Sequence, residues 1–113
     1  MSMILQISSE QIDDKAVLRA NGRLDTPNAP LLERKIDALL KGGHVKVLLD
    51  LAGVDYMSSA GLRILLSASK QLHAAGGGFC IFNVQDDAMD IIKMAGFNKI
   101  IKIFDTESEA LKA

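Results

Sequence analysis

The chain has 113 residues, of which 49% are hydrophobic and 24% charged, and its formal net charge is −1. That balance supports one hydrophobic core and excludes an intrinsically disordered chain. With no basic excess, only 4% aromatic residues and no Trp, it lacks the electrostatic footprint and the stacking platform expected of a direct nucleic-acid binder.

In chain order, residues 4–8 and 15–21 predict two strands, with the polar run Ser9-Glu10-Gln11-Ile12-Asp13-Asp14 as the turn of a hairpin. Asn21-Gly22 predicts the end of the second strand. Asp25-Thr26-Pro27-Asn28 then supplies helix-start chemistry, because small side-chain oxygens accept from the first unpaired backbone N–H groups. The helix is expected over residues 29–41, with Leu31, Leu32, Ile36, Leu39 and Leu40 as its apolar stripe and Gly42-Gly43 as its stop. Residues 45–51 form a nearly continuous apolar run, as in a central strand covered on both faces. A second helix is expected from about Ala60 to Ala75, with Leu62, Leu65, Leu66, Ser69 and Leu72 at helical spacing and Gly76-Gly77-Gly78 ending it. A strand over 79–84, a helix over 86–95, a strand over 100–104 and a short capped helix ending near Lys112 complete the order β-β-α-β-α-β-α-β-α. Strand–helix alternation implies parallel neighbours, and the opening hairpin makes the sheet mixed. The expected fold is a single α/β domain with helices packed on a mixed sheet of about four to five strands.

The informative stretch follows the central strand: Val54-Asp55-Tyr56-Met57-Ser58-Ser59-Ala60-Gly61-Leu62-Arg63. A short loop is expected after Leu51, and two serines fall where the next helix begins. The first N–H groups of a helix have no intrahelical partner, and with the helix dipole they favour negative charge. A phosphate on either serine would lie in that field and would bring about 1.5 to 2 negative charges to the surface. The same residue type is also a preferred N-cap, so local physics leaves capping and modification both open.

The run from Val54 through Leu66 resembles the signature of the STAS family, the sulfate-transporter and anti-sigma-factor-antagonist domains. Gly22-Arg23-Leu24-Asp25, Val47-Leu48-Leu49-Asp50-Leu51 and Gly76-Gly77-Gly78 with the apolar strand after it resemble other parts of that family, so the resemblance extends over nearly the whole chain, as one STAS domain over residues 1–113. It implies a stand-alone anti-sigma factor antagonist. In such proteins a serine just before the second helix is phosphorylated by an anti-sigma factor that is also a serine kinase. A serine phosphatase reverses the mark, and the unmodified form binds the kinase and frees a sigma factor. The family's common run is Asp-Ser-Ser-Gly-Leu or Asp-Ser-Thr-Gly-Leu, with its first serine modified. Aligning Gly61-Leu62 puts Ser59 on the modified serine, Ser58 on the acidic residue and Ala60 on the second hydroxyl residue. Ser59 is therefore the implied phosphoacceptor, with Ser58 the alternative. The implied switch and partner surface is Asp25, Met57, Ser58, Ser59, Ala60, Gly61 and Arg63. An alternative within the family is a non-phosphorylated scaffold, or a soluble subunit of a signalling or transport assembly.

Other chemistries find no support in the sequence. His44 and His73 have no motif tying them to Ser59, and no Gly-x-Ser-x-Gly elbow is present, so no catalytic residue is expected. No Cys-x-x-Cys or His-x-x-x-His occurs, and the triple glycine leads into a strand with no Lys after it; no metal or cofactor is expected, and no residue independently supports nucleotide binding. Cys80 reads as a buried small hydrophobe. Asp25 is open between a cap or turn former and a partner contact, and Asp50 between ordering the loop and facing the serine. The apolar run at 45–51 is interrupted by Lys46 and Asp50 and is too short to cross a bilayer, Met1-Ser2-Met3-Ile4 has no positive n-region, and the single cysteine forms no internal disulfide, so a cytoplasmic protein without a membrane segment is expected. Oligomeric state is not encoded in any motif.

Overall fold

A computed structural model describes residues 4–113. The elements are β1 (Gln6–Ile12), β2 (Lys15–Leu24), α1 (Ala29–Lys41), β3 (Lys46–Met57), α2 (Ser59–Ala74), β4 (Gly78–Phe82), α3 (Asp86–Met94), a 3-10 turn at Phe97–Lys99, β5 (Lys102–Phe104) and α4 (Glu107–Lys112). The five strands form one sheet in the order β1-β2-β3-β4-β5. β1 is antiparallel to β2, and every later neighbour is parallel. The element order and the mixed α/β sheet are those expected from the sequence.

Alternation along the strands separates two faces, as strand geometry requires. Leu18, Ala20, Leu49, Leu51 and Ile81 pack with Leu32 and Ile36 of α1, Leu65 and Leu72 of α2 and Ile92 of α3 in the main core. The intervening residues Val17, Leu48, Cys80 and Phe82 form a smaller cluster with Ala110 of α4. The expectation of a central strand buried on both faces holds for Val47, Leu48 and Leu49, but the second face has only the six residues of α4 to cover it.

Several strand boundaries differ from the sequence reading, each for a physical reason. The expected first strand at 4–8 is shifted: β1 continues through the polar residues to Ile12, and the hairpin loop is Asp13-Asp14 alone, with Ile12 opposite Lys15. β1 is an edge strand, so its polar side chains stay exposed while its backbone pairs with β2. Asp13 takes the left-handed conformation (φ 56°) that a tight loop requires.

Asn21-Gly22 does not end β2 but bulges it, with register irregularities between Arg19 and Asn21 and between Gly22 and Arg23. Gly22 sits at φ 123°, and a Cβ there would lie 3.0 Å from the Ile4 carbonyl oxygen.

β3 does not give way to a loop after Leu51. It continues to Met57 by pairing Asn21 with Gly53, Gly22 with Val54, Arg23 with Tyr56 and Leu24 with Met57. At the other end of the chain, β4 stops at Phe82 and not at 84, where Asn83 turns to φ 57°. β5 starts at Lys102 and not at 100, because Ile100 N and Ile101 N both donate to the Phe97 carbonyl, at 3.0 and 2.9 Å, and so belong to the turn before it.

One charged cluster ties the second face together. Arg19 faces Asp50 across the β2–β3 register. Its Nη1 donates to Asp50 Oδ2 at 2.9 Å and Glu107 Oε1 at 2.7 Å, and its Nη2 donates to Glu10 Oε1 at 2.9 Å and Glu107 Oε2 at 3.2 Å. These carboxylates hold the guanidinium's pKa above its ordinary value, with Glu107 the largest influence. One side chain therefore links β1, β2, β3 and the start of α4. The ion pairs are partly solvated, so their worth is modest and salt-dependent.

An Arg19→Met variant is expected to lose roughly 1 kcal/mol of stability in urea titrations, with the deficit shrinking at high salt. Amide exchange should quicken at Ala110, Leu111 and Lys112 before it does in β3. Uniform exchange across both would remove α4 docking from the role of Arg19.

Candidate functional site

The carboxyl ends of β2 and β3 meet where α2 begins. Ser58 N donates to the Leu24 carbonyl at 2.9 Å, extending the β2–β3 ladder by one bond past Met57. Ser58 itself is the N-cap: its backbone is extended (φ −90°, ψ 172°), its Oγ accepts from Gly61 N at 3.3 Å, and its carbonyl accepts from Leu62 N at 3.0 Å. Ser59 is the first residue of α2; it is exposed, and its hydroxyl has no hydrogen-bond partner among the described residues. The adjacent serines thus divide the two readings of the sequence. Ser58 is occupied by capping and half-buried, while Ser59 is presented to solvent at the positive end of a 16-residue helix.

Gly61 explains how the helix comes this close to the sheet. It is buried, and a Cβ on it would lie 2.7 Å from the Leu24 carbonyl oxygen and 2.8 Å from Leu24 Cγ. Met57, expected on the partner surface, is instead 1% exposed and packs in the main core beneath the serines. This is a correction: β3 runs on to residue 57, and the register shift after Val54, where Gly22–Val54 is followed by Arg23–Tyr56, turns Met57 to the core side opposite Leu24. Gly61 likewise supports the surface from below. Ala60 is half-buried beside Ser59, and Arg63 is exposed one turn further along α2. Arg63 has no ion pair among the described residues, and the first turn of α2 carries no acidic residue.

Asp25 forms the turn that leads into α1. Its Oδ1 accepts from Asn28 N at 3.2 Å, and its carbonyl accepts from Asn28 N at 3.1 Å and Ala29 N at 2.8 Å. It directly follows Leu24, whose carbonyl anchors Ser58, so the structure brings Asp25 to the same end of the sheet as the serines. Asp50, eight residues before Ser58 in β3, has a structural role: Oδ1 accepts from Ala52 N at 2.9 Å and Asn83 Nδ2 at 3.3 Å, while Oδ2 pairs with Arg19.

Two residues at this end were not singled out for the surface by the sequence. The Arg23 guanidinium stacks over the Tyr56 ring at 4.2 Å from its centroid, and Arg23 Nε approaches Asp25 Oδ2 at 3.5 Å. Tyr56 stays 38% exposed. The signal for the pair is the Arg23–Tyr56 register, which becomes visible only once β3 is extended beyond Leu51. The remaining candidates stand apart: His73 is fourteen residues beyond Ser59, roughly 21 Å along the helix. Cys80 is buried under α4, and burial pushes its thiol up to about 11. Among the described residues, no cluster of potential ligands could hold a metal ion, and no helix is long and apolar enough to cross a membrane.

Comparison with known proteins places this geometry in a family. The STAS domain model matches residues 6–110. An anti-sigma F factor antagonist of Paenibacillus polymyxa is 27% identical over 110 residues, covering 96% of this chain and 94% of its own. The crystal structure of an anti-sigma factor antagonist from Mycobacterium paratuberculosis superposes with a TM-score of 0.86 at 27% identity, over 96% of this chain and 92% of the other. The unphosphorylated form of SpoIIAA shares the fold with a TM-score of 0.79 at 20% identity, over 94% and 93% of the two chains. The chain belongs to the STAS domain family.

The division of labour around α2 has a direct test in urea unfolding. Ser58→Ala should cost about 1 kcal/mol through the lost cap, whereas Ser59→Ala should stay within about 0.5 kcal/mol of the parent. Gly61→Ala should cost roughly 1–3 kcal/mol, because the added methyl meets backbone that cannot swing aside. Equal losses at both serines would contradict the assignment of the cap to Ser58.

Proposed function

We propose that this chain is an anti-sigma factor antagonist: a cytoplasmic, non-catalytic protein that binds an anti-sigma factor serine kinase and is switched off by phosphorylation of Ser59. The observation that carries the reading is the contrast between the serines. Ser59 offers an exposed, uncommitted hydroxyl at a helix N-terminus, and Ser58 is engaged as the cap. The names of relatives at 27% identity over almost the full length support the same class of function.

The partner surface is this end of the domain, with Ser59 and Arg63 exposed, Asp25, Ser58 and Ala60 half-buried, and the Arg23–Tyr56 pair beside them. It combines an aromatic ring and two arginines, residue types favoured at protein interfaces. While Ser59 is unmodified, this surface docks on the kinase and withdraws it from its sigma factor. A phosphate adds strong acceptors and about 1.5 to 2 negative charges in the middle of that surface. Docking then requires the desolvation of a dianion, and a loss of about 3 kcal/mol weakens binding more than a hundredfold.

Within the free protein the phosphate is accommodated locally. The N-terminal N–H groups of α2 face it, and Arg63, four residues on, shares its side of the helix. A serine phosphatase removes it and restores binding.

The test is fragment mass spectrometry on protein purified from its native host with phosphatase inhibitors, beside Ser58→Ala and Ser59→Ala variants. A phosphate on Ser59, lost only in Ser59→Ala, is the expected result. The Ser59→Ala protein should still bind the kinase and resist modification, whereas Ser59→Asp should bind at least tenfold more weakly. Absence of phosphate throughout growth, with the protein folded, would leave the unphosphorylated scaffold in its place.

A further inference from the structure

The amino ends of the parallel strands carry a second feature, on the sheet face opposite α1, α2 and α3. A cavity of about 200 Å³ opens there between the sheet and the end of α4. It exists for two reasons. α4 has only six residues, so it reaches Ala110 without covering the starts of the strands. Gly78, on the Cys80 side of β4, contributes no side chain; a Cβ on it would meet nothing within 4 Å.

The floor is apolar, made by Leu48, Cys80 and Phe104. The rim is cationic: Lys15, Lys46 and Lys102 stand at the first positions of β2, β3 and β5. Lys15 and Lys46 share one carboxylate, Asp14, at 3.4 and 2.7 Å. Lys102 has no ion pair among the described residues, and it lies opposite Cys80 in the β4–β5 register.

An apolar floor under an excess of ammonium groups selects a ligand with an apolar body and one negative end. The volume is below the roughly 300 Å³ at which drug-sized sites begin, so the body is short. We propose that this cavity binds a small amphipathic carboxylate, its acyl or aryl body lying on Leu48, Cys80 and Phe104 and its carboxylate at the lysine rim. The site is at the opposite end of the strands from Ser59, so the two sites are distinct, and this inference does not rest on the proposed switch.

The test uses octanoate as the probe, with octanol and octylammonium as its neutral and reversed-charge counterparts. In amide NMR titrations, octanoate should give saturable shifts at Leu48, Gly78, Cys80, Lys102 and Phe104, and should slow alkylation of Cys80 by neutral iodoacetamide. Lys102→Gln should weaken octanoate about threefold at low salt, with the difference fading as salt rises. Gly78→Leu should abolish binding by filling the cavity. Should that variant fail to fold, Lys102→Glu, at an exposed position, carries the test with an expected loss of tenfold or more. Octanol or octylammonium matching octanoate would overturn the carboxylate assignment. Shifts confined to the α2 face, or no saturable shifts, would overturn the site.

Discussion

The hydrogen bond from Ser58 N to the Leu24 carbonyl, at 2.9 Å, sets where α2 begins. It is the last rung of the long β2–β3 pairing, and it holds the chain extended through Ser58 before the helix can start. Three consequences follow. Ser58, still extended, has the backbone geometry of an N-cap. Gly61 is pressed against Leu24, where only a missing Cβ avoids a contact under 3 Å. Ser59, one residue past the anchor, is rotated away from the sheet into solvent. A one-residue slip would exchange the roles of the serines, and the main defence against that slip is the burial of Leu24, Val54 and Met57 on the core side of the same strands.

The two sheet faces differ in how they are held. The face under α1, α2 and α3 has a broad aliphatic core that fixes the fold through burial. The face under α4 has a smaller cluster and relies on Arg19 to reach Glu107 as well as Asp50 and Glu10. Partly solvated ion pairs stabilise less per contact than packed aliphatic side chains. α4 is accordingly the element most sensitive to salt and charge, and the cavity beside it is the region where the sheet remains least covered.

Much of this was legible in the sequence because it depends on local signals. α1 falls at Ala29–Lys41 as its leucine stripe and glycine stop predict, and α2 begins one residue from the expected start. The features that escaped are non-local. The polar run 9–12 reads as a turn because its composition is that of a turn; only the neighbouring β2 makes it a strand. Ala52-Gly53 reads as a loop because glycine weakens strands, yet Gly53 lies within the β2–β3 pairing opposite Asn21, where a Cβ would displace the Asn21 side chain and lie 3.0 Å from the Ala20 carbonyl oxygen. The same extension of β3 buries Met57 against the core and sets Arg23 beside Tyr56. The charge cluster of Arg19 joins residues separated by up to 88 positions, and no periodicity announces it.

The position of Ser59 constrains how a mark there could act. Its side chain contributes no contact that a phosphate would have to break, and the groups nearest in sequence, the free N–H groups of α2 and Arg63, favour negative charge. A modification at Ser59 therefore has little reason to rearrange the sheet or release α2. Any effect of such a mark would be carried by the changed charge of the surface itself. At Ser58 the outcome would differ, because a phosphate there would replace a capping hydroxyl beside the Leu24 anchor and would act on the fold as well as on the surface. A switch meant to change partners without changing stability is better placed on the first helical residue than on the cap.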